Sequence, residues 1–315
     1  MSLLLFAGVL RGSAYAEFRK ELGFETRYMA GSSLYEINFD NAWVDGGHGR
    51  SELIFPVQTF MGGLVFELKD VPIDERDSSL GALKIKLLSA LASRVTTMED
   101  SDWIENDMAF LYPMHDGKDL YTESNDNLDK AFYFDIEYSY DFFVTDALRV
   151  APVLGYNYLF LSHDIVDCEG YYWSMPIRCG SIDVLSYEVE AHLPYLGLKV
   201  SGAPFHSNRS EYNLTVAYSP KAFIKDQDYH ILRDKYSYSQ NFGDAVRVVL
   251  EGGWKPREDS RFGVKFGGEF MSFFADGVQA QYIKTDVIVI YLDSPINFEI
   301  QGAFLSLYLN ISYIF

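Results

Sequence analysis

Residues 304–315 read Phe-Leu-Ser-Leu-Tyr-Leu-Asn-Ile-Ser-Tyr-Ile-Phe. Successive side chains of an extended strand point to opposite sides. Leu305, Leu307, Leu309, Ile311, Tyr313 and Phe315 therefore share one face, and Phe304, Ser306, Tyr308, Asn310, Ser312 and Ile314 share the other. The first face is uniformly apolar and the second is mixed. A strand whose outer face tolerates lipid and whose inner face tolerates water is the wall element of a barrel in a bilayer. Residues 131–142 repeat the pattern: Phe132, Phe134, Ile136, Tyr138, Tyr140 and Phe142 alternate with Ala131, Tyr133, Asp135, Glu137, Ser139 and Asp141.

Extended along the chain, the same reading predicts strands near 22–40, 50–69, 82–100, 130–143, 148–164, 182–202, 209–227, 241–255, 261–277 and 300–315. The fold class expected is all-β: a transmembrane antiparallel up-and-down β-barrel of about ten strands. No segment approaches the roughly 18 continuous apolar residues of a spanning helix, so any crossing is made by strands. Connections at Lys69–Gly81, Phe143–Ala147, Gly202–Arg209 and Lys255–Ser260 are mostly short and the intervening ones long. Short turns belong to the periplasmic side and long loops to the exterior, which puts the ends of the third and seventh strands on one outer rim. A soluble β-sandwich would also alternate, but its outer face would be polar.

Composition agrees. With 23 Tyr and 24 Phe, aromatic residues form 16% of the chain, which suits interfacial girdles. A net charge of −19 with no basic stripe argues against nucleic acid as a partner and favours cationic ones. Leu3–Leu10 followed by Ala14-Tyr15-Ala16 has the form of a signal peptide over residues 1–16, leaving residues 17–315 as a single barrel domain. Export predicts a disulfide between Cys168 and Cys179.

Two acidic motifs carry chemistry: Met98-Glu99-Asp100-Ser101-Asp102-Trp103 at the top of the third strand, and Asp226-Gln227-Asp228-Tyr229-His230 at the top of the seventh. The period of two puts Asp100 and Asp102 on one face, and Asp226, Asp228 and His230 on another. Strands four apart in a ring of ten lie nearly opposite, so the two groups face each other across the mouth. Asp228 beside His230 is an oriented base, and two close carboxylates raise one pKa and hold a water. No zinc-ligand spacing is present. Of the remaining histidines, His48, His115 and His163 are expected in outer loops, His192 in a strand and His206 in a periplasmic turn, most of them solvated.

These motifs resemble those of the omptin family of outer-membrane proteases. Met98, Asp100, Asp102 and Trp103 match a Met-x-Asp-x-Asp-Trp segment, and Asp228, His230, Arg233 and Asp234 match Asp-x-His followed by Arg-Asp. Leu193-Pro194-Tyr195-Leu196-Gly197-Leu198 adds to the similarity. The resemblance implies an outer-membrane endopeptidase with its site facing the exterior, acting through water activated by Asp100, Asp102, Asp228 and His230 and cleaving beside basic residues of cationic peptides or proteins. It gives Asp226 a part in binding a basic side chain and makes Glu36 the nearest candidate for a second acid, with Tyr35 competing for the place. No cofactor is implied, but lipopolysaccharide is a family partner, held by a Tyr-x-Glu-x-Arg pattern. Tyr156-Asn157-Tyr158-Leu159-Phe160 keeps the Tyr alone, which puts that dependence in doubt. The rival reading is a surface adhesin whose acidic rim is inert; a narrow porin ranks lower, since ten strands leave little lumen.

Strand geometry sets a condition. Strict alternation from Lys84 and Lys86 keeps Asp100 and Asp102 inward. On the seventh strand, alternation from Leu214, Val216 and Tyr218 points Asp228 and His230 outward. A one-residue bulge at Ser219-Pro220, where proline already removes a ladder donor, is required to turn them in.

Overall fold

The computed structural model describes residues 19–41, 47–72, 80–104, 117–145, 148–203, 209–284 and 289–315. The predicted signal segment, His115 and His206 lie outside them. The strands are β1 (Arg19–Asn41), β2 (Gly47–Pro72), β3 (Leu80–Ser93), β4 (Thr96–Ile104), β5 (Leu120–Tyr140), β6 (Phe143–Val144), β7 (Leu148–Tyr172), β8 (Met175–Arg178), β9 (Asp183–Gly202), β10 (Ser210–His230), β11 (Lys235–Trp254), β12 (Phe262–Lys284) and β13 (Val289–Ile314). All neighbours are antiparallel, and β13 pairs with β1, from Glu21 opposite Ile314 to Asn38 opposite Asn297, so the sheet closes on itself. With β3 and β4 sharing one place between β2 and β5, the ring has ten positions. β6 and β8 are short hairpin partners of β7.

The alternation read from β13 holds in three dimensions. Leu305, Leu307, Leu309 and Ile311 are exposed, and Phe304, Ser306, Tyr308, Asn310 and Ser312 are buried in the lumen. Leu22 and Phe24, Phe60 and Leu64, Leu196 and Leu198, Val246 and Leu250, and Phe266 and Phe270 continue an outward apolar belt around the ring. Inside the belt the middle of the lumen is filled by ion pairs, above a cavity of about 500 Å³ lined by Glu21, Glu67, Lys199 and Lys265. Arg247 lies 3.0 Å from Asp135 and 3.2 Å from Glu269, Arg27 lies 2.8 Å from Glu25 and 3.3 Å from Glu269, and Lys86 lies 3.0 Å from Glu25. The Tyr133 and Tyr195 hydroxyls donate to Glu269 and Asp135. These ions are out of water, so each needs its partner. They also fill the space a pore would need.

Several strands run further past the belt than alternation predicts. β5 begins at Leu120, β7 continues to Tyr172, and β12 and β13 extend to Lys284 and from Val289. An outward face in water has no reason to be apolar, so past the belt the signal fades while the ladder continues. His163, expected in a solvated loop, is a correction that follows from this. It lies in β7, fully buried, with Nδ1 2.8 Å from Asp126 Oδ1. His192 lies in β9 as expected, its Nδ1 2.6 Å from the Tyr156 hydroxyl.

The bulge on β10 is present. Ser219 faces Ala245 of β11 and Ala222 faces Gly243, so β10 takes three steps against two. Against β9 the shift falls between Tyr218 and Phe223. Ala217 and Ser219 are buried before it, Ala222, Ile224, Asp226 and Asp228 after it. Deleting Lys221 should remove the extra residue and reverse this facing. The check is thiol labelling of an Asp228→Cys variant, unreactive in the full-length background and reactive in the deletion; equal reactivity in both would mean that the bulge does not set the facing.

On the third wall position, strict alternation is corrected. Leu91 is an extra residue between the Met61–Ala90 and Phe60–Ala92 pairs. From Thr59–Ser93 to Ile54–Glu99 the β2 chain takes five steps and β3–β4 takes six. Two one-residue shifts cancel, and Asp100 and Asp102 face inward as alternation predicts, although alternation is broken twice on the way.

Candidate active site

Past the belt, the inward faces of β1, β2, β4, β9, β10 and the start of β11 enclose one cluster. Asp100 stands opposite Leu53 of β2 and Thr122 of β5, and Asp102 opposite Ser51 and Leu120. On the far wall Asp228 stands opposite Tyr187 of β9 and Ser237 of β11. Arg233 and Lys235 act electrostatically on Asp100, Asp102 and Asp228 alike, and Asp228 acts on Asp100. The two sequence motifs therefore meet in one field.

The turn after β10 is built for this meeting. Ile231–Arg233 forms one 3-10 turn, closed by Asp234 in the left-handed region at φ 47°, a conformation Asp tolerates. The Tyr229 hydroxyl donates to Asp234 Oδ1 at 2.9 Å. The turn brings the Arg233 guanidinium to 2.9 Å from His230 Nδ1. A guanidinium donates and never accepts, so Nδ1 is the lone-pair nitrogen and the neutral ring carries its proton on Nε2. Nε2 lies 3.5 Å from Asp228 Oδ1. The other carboxylate oxygen, Oδ2, accepts a hydrogen bond from the Tyr35 hydroxyl at 2.8 Å.

Burial sets the protonation states. It pushes Asp100 up to about 8, helped by the Asp102 charge and opposed by Arg233 and Lys235. Asp102 and Asp228 are also raised by burial. His230 is held well below the usual imidazole value, first by burial and then by Lys235 and Arg233, so the ring is the neutral, proton-accepting form near pH 7. Asp226, two residues below Asp228 on the same face, is pushed up to about 8 by burial; Ser239 donates to its Oδ1. Asp100 Oδ1 and Asp226 Oδ2 are buried acceptors without a hydrogen-bond partner among the described residues.

Of the sequence candidates, Asp100, Asp102, Asp226, Asp228 and His230 converge. Glu36 does not. It lies on the face of β1 opposite to Tyr35, 3.9 Å from Arg50, because residues 33, 35 and 37 hold the inward positions. Tyr35 takes the inward place. Lys235 belongs to neither sequence motif, and its position opposite His230 becomes legible only once the β10–β11 turn is known.

Fold and site together define a closed barrel of the outer-membrane type with a carboxylate and imidazole cluster at one end. Residues 73–266, more than half of the chain, match the model of the omptin family. The chain belongs to the omptin family. Its fold matches the crystal structure of outer membrane protease OmpT from Escherichia coli with a TM-score of 0.75 at 15% identity, over 96% of this chain and 100% of that one. The toluene transporter TbuX of Ralstonia pickettii matches over 96% of this chain and 90% of that one, at 7% identity and a TM-score of 0.33. No curated protein sequence matches.

Proposed function

We propose that this chain is an outer-membrane endopeptidase whose site faces the exterior and which cleaves cationic peptides or proteins beside basic residues. The observation that carries the reading is the β10 bulge, after which Asp226 and Asp228 are buried on the inward face whose parity His230 shares. In the mechanism, Asp100 and Asp102 share a proton and hold a water through the unpartnered Asp100 Oδ1. His230 takes the water's proton at Nδ1 once Arg233 releases that nitrogen, and Asp228 stabilises the imidazolium through Nε2–H. The hydroxide attacks the peptide carbonyl, and His230 returns the proton to the leaving amine. These steps draw on side chains and water alone.

The test is cleavage of a fluorogenic Lys-Arg peptide by refolded protein, with and without lipopolysaccharide. Turnover is expected, and because Phe160 brings no phosphate donor, it is expected without the lipid. Absence of cleavage under both conditions would move the assignment to a binding barrel of the adhesin type.

Asp226 gives the reading a pH signature. A carboxyl held at about 8 is mostly neutral at pH 7, and a cation binds its ionised form. KM for a peptide with a basic residue at the cut should therefore fall as pH rises through about 8. An Asp226→Asn variant should lose that dependence along with its preference for basic over neutral peptides. A pH-independent KM in the parent would remove Asp226 from recognition.

A further inference from the structure

Tyr35 sits on β1, across the lumen from β10, in a place for which the mechanism above has no use. Its ring is almost wholly buried and fixed by three aromatic neighbours: the centroids of Phe298, Tyr187 and Phe55 lie 5.5, 5.7 and 5.9 Å away. From that position its hydroxyl reaches one atom of the site, Asp228 Oδ2, at 2.8 Å. Asp228 Oδ1 is left facing His230 Nε2 at 3.5 Å. We infer that Tyr35 is a positioning residue: by donating to Oδ2 from an immobile ring it fixes the plane of the Asp228 carboxylate and commits Oδ1 to His230. The inference rests on the peptidase reading for its catalytic consequence, though not for its physical one.

A carboxylate can rotate about its Cβ–Cγ bond, and either oxygen can serve a neighbouring imidazole. Rotation here would exchange the Tyr35 bond for an unpaired buried hydroxyl, which is costly. The hydrogen bond also favours the ionised form of Asp228, the form that stabilises an imidazolium. Burial works against that form. The groups facing Asp228 are Asp226 and His230 on its own strand, Ser237 and Lys235 from β11, Arg233 from the turn, Tyr187 from β9, Asp100 from β4 and Tyr35 from β1. Lys235, Tyr35, Ser237 and Arg233 favour the carboxylate, and burial, Asp226 and Asp100 oppose it. The Tyr35 phenol is itself held well above its ordinary pKa, by burial and then by Asp228, so it remains a donor over the working range.

Tyr35→Phe keeps the ring and deletes the donor. The sign follows: without the hydrogen bond the Asp228 pKa rises, so the acid limb of kcat moves to higher pH. At pH 7 kcat should fall roughly tenfold, the loss expected for one hydrogen bond to a charged group, with KM unchanged. In an Asp228→Asn background the same substitution should cost nothing further, whereas a structural role would add its cost in either background. An acid limb and kcat equal to the parent's would overturn the inference. A readout free of catalysis is the 13C titration of Asp228 in detergent micelles, assigned by its loss in Asp228→Asn. A midpoint higher in Tyr35→Phe than in the parent supports the inference even if no peptide is cleaved, in which case the peptidase reading alone fails. Equal midpoints overturn it.

Discussion

Replacing His230 by Ala, or Asp228 by Asn, is expected to lower turnover of a Lys-Arg peptide by about 10²–10⁴-fold, the usual worth of a positioned proton-transfer group. The two substitutions act on one device. In the proposed mechanism His230 supplies the lone pair at Nδ1, and Asp228 supplies the charge that stabilises the ring once it is protonated. Their effects should therefore fall short of additive, and the double variant should resemble the worse single one. Asn at 228 keeps an acceptor for the Tyr35 hydroxyl, so the barrel loses no buried hydrogen bond and the change falls on chemistry. Folding is checked independently by the shift in gel migration between unheated and heated samples. Turnover within a few fold of the parent in either single variant would remove the dyad from the mechanism. An adhesin is the alternative that would bind its partner unchanged through both substitutions.

The second large effect lies in the lumen, away from the chemistry. Arg247→Met keeps the length of the side chain and removes the guanidinium that pairs with Asp135 at 3.0 Å and Glu269 at 3.2 Å and donates to Tyr195 at 2.8 Å. Glu269 retains Arg27 at 3.3 Å, but Asp135 keeps only the Tyr195 hydroxyl among its described partners. Breaking one member of a buried ion network leaves a charge uncompensated, and the expected loss is about 3–5 kcal/mol. Equilibrium unfolding of the micelle-bound barrel in guanidinium chloride measures it. A loss under about 1 kcal/mol would place the cluster with solvent-screened pairs. An Asp135→Asn change in the Arg247→Met background should recover part of the stability by removing the orphaned charge.

The fold is legible where the outer face is uniformly apolar. On β13 every outward residue from Leu305 to Ile311 is apolar and exposed, so facing and strand type read off directly. Past the belt that constraint ends: alternation predicts a strand only to about residue 164, whereas β7 continues to Tyr172 and holds His163 buried within it. The bulge at Ser219–Ala222 was legible for a different reason. The acids above it and the leucine and valine below it could both be placed sensibly only if the parity changed, and Pro220 marked where the ladder lacks a donor. The paired shifts on β3–β4 left no such trace, because two reversals restore the parity and the sequence on either side looks uninterrupted.

By itself, then, the sequence determined the barrel, its ten wall positions and the two acidic motifs on a shared rim, because each of these is written in a period of two along one strand. Tertiary structure alone decided that the Tyr35 hydroxyl meets Asp228 Oδ2, that Arg233 and Lys235 act on the carboxylates of both motifs, and that Arg27, Lys86 and Arg247 pair with acids across the lumen. Each of these is a contact between strands far apart in the chain. Period fixes which face a side chain takes, but what it meets there depends on register and closure, and those are set by hydrogen bonding around the whole ring.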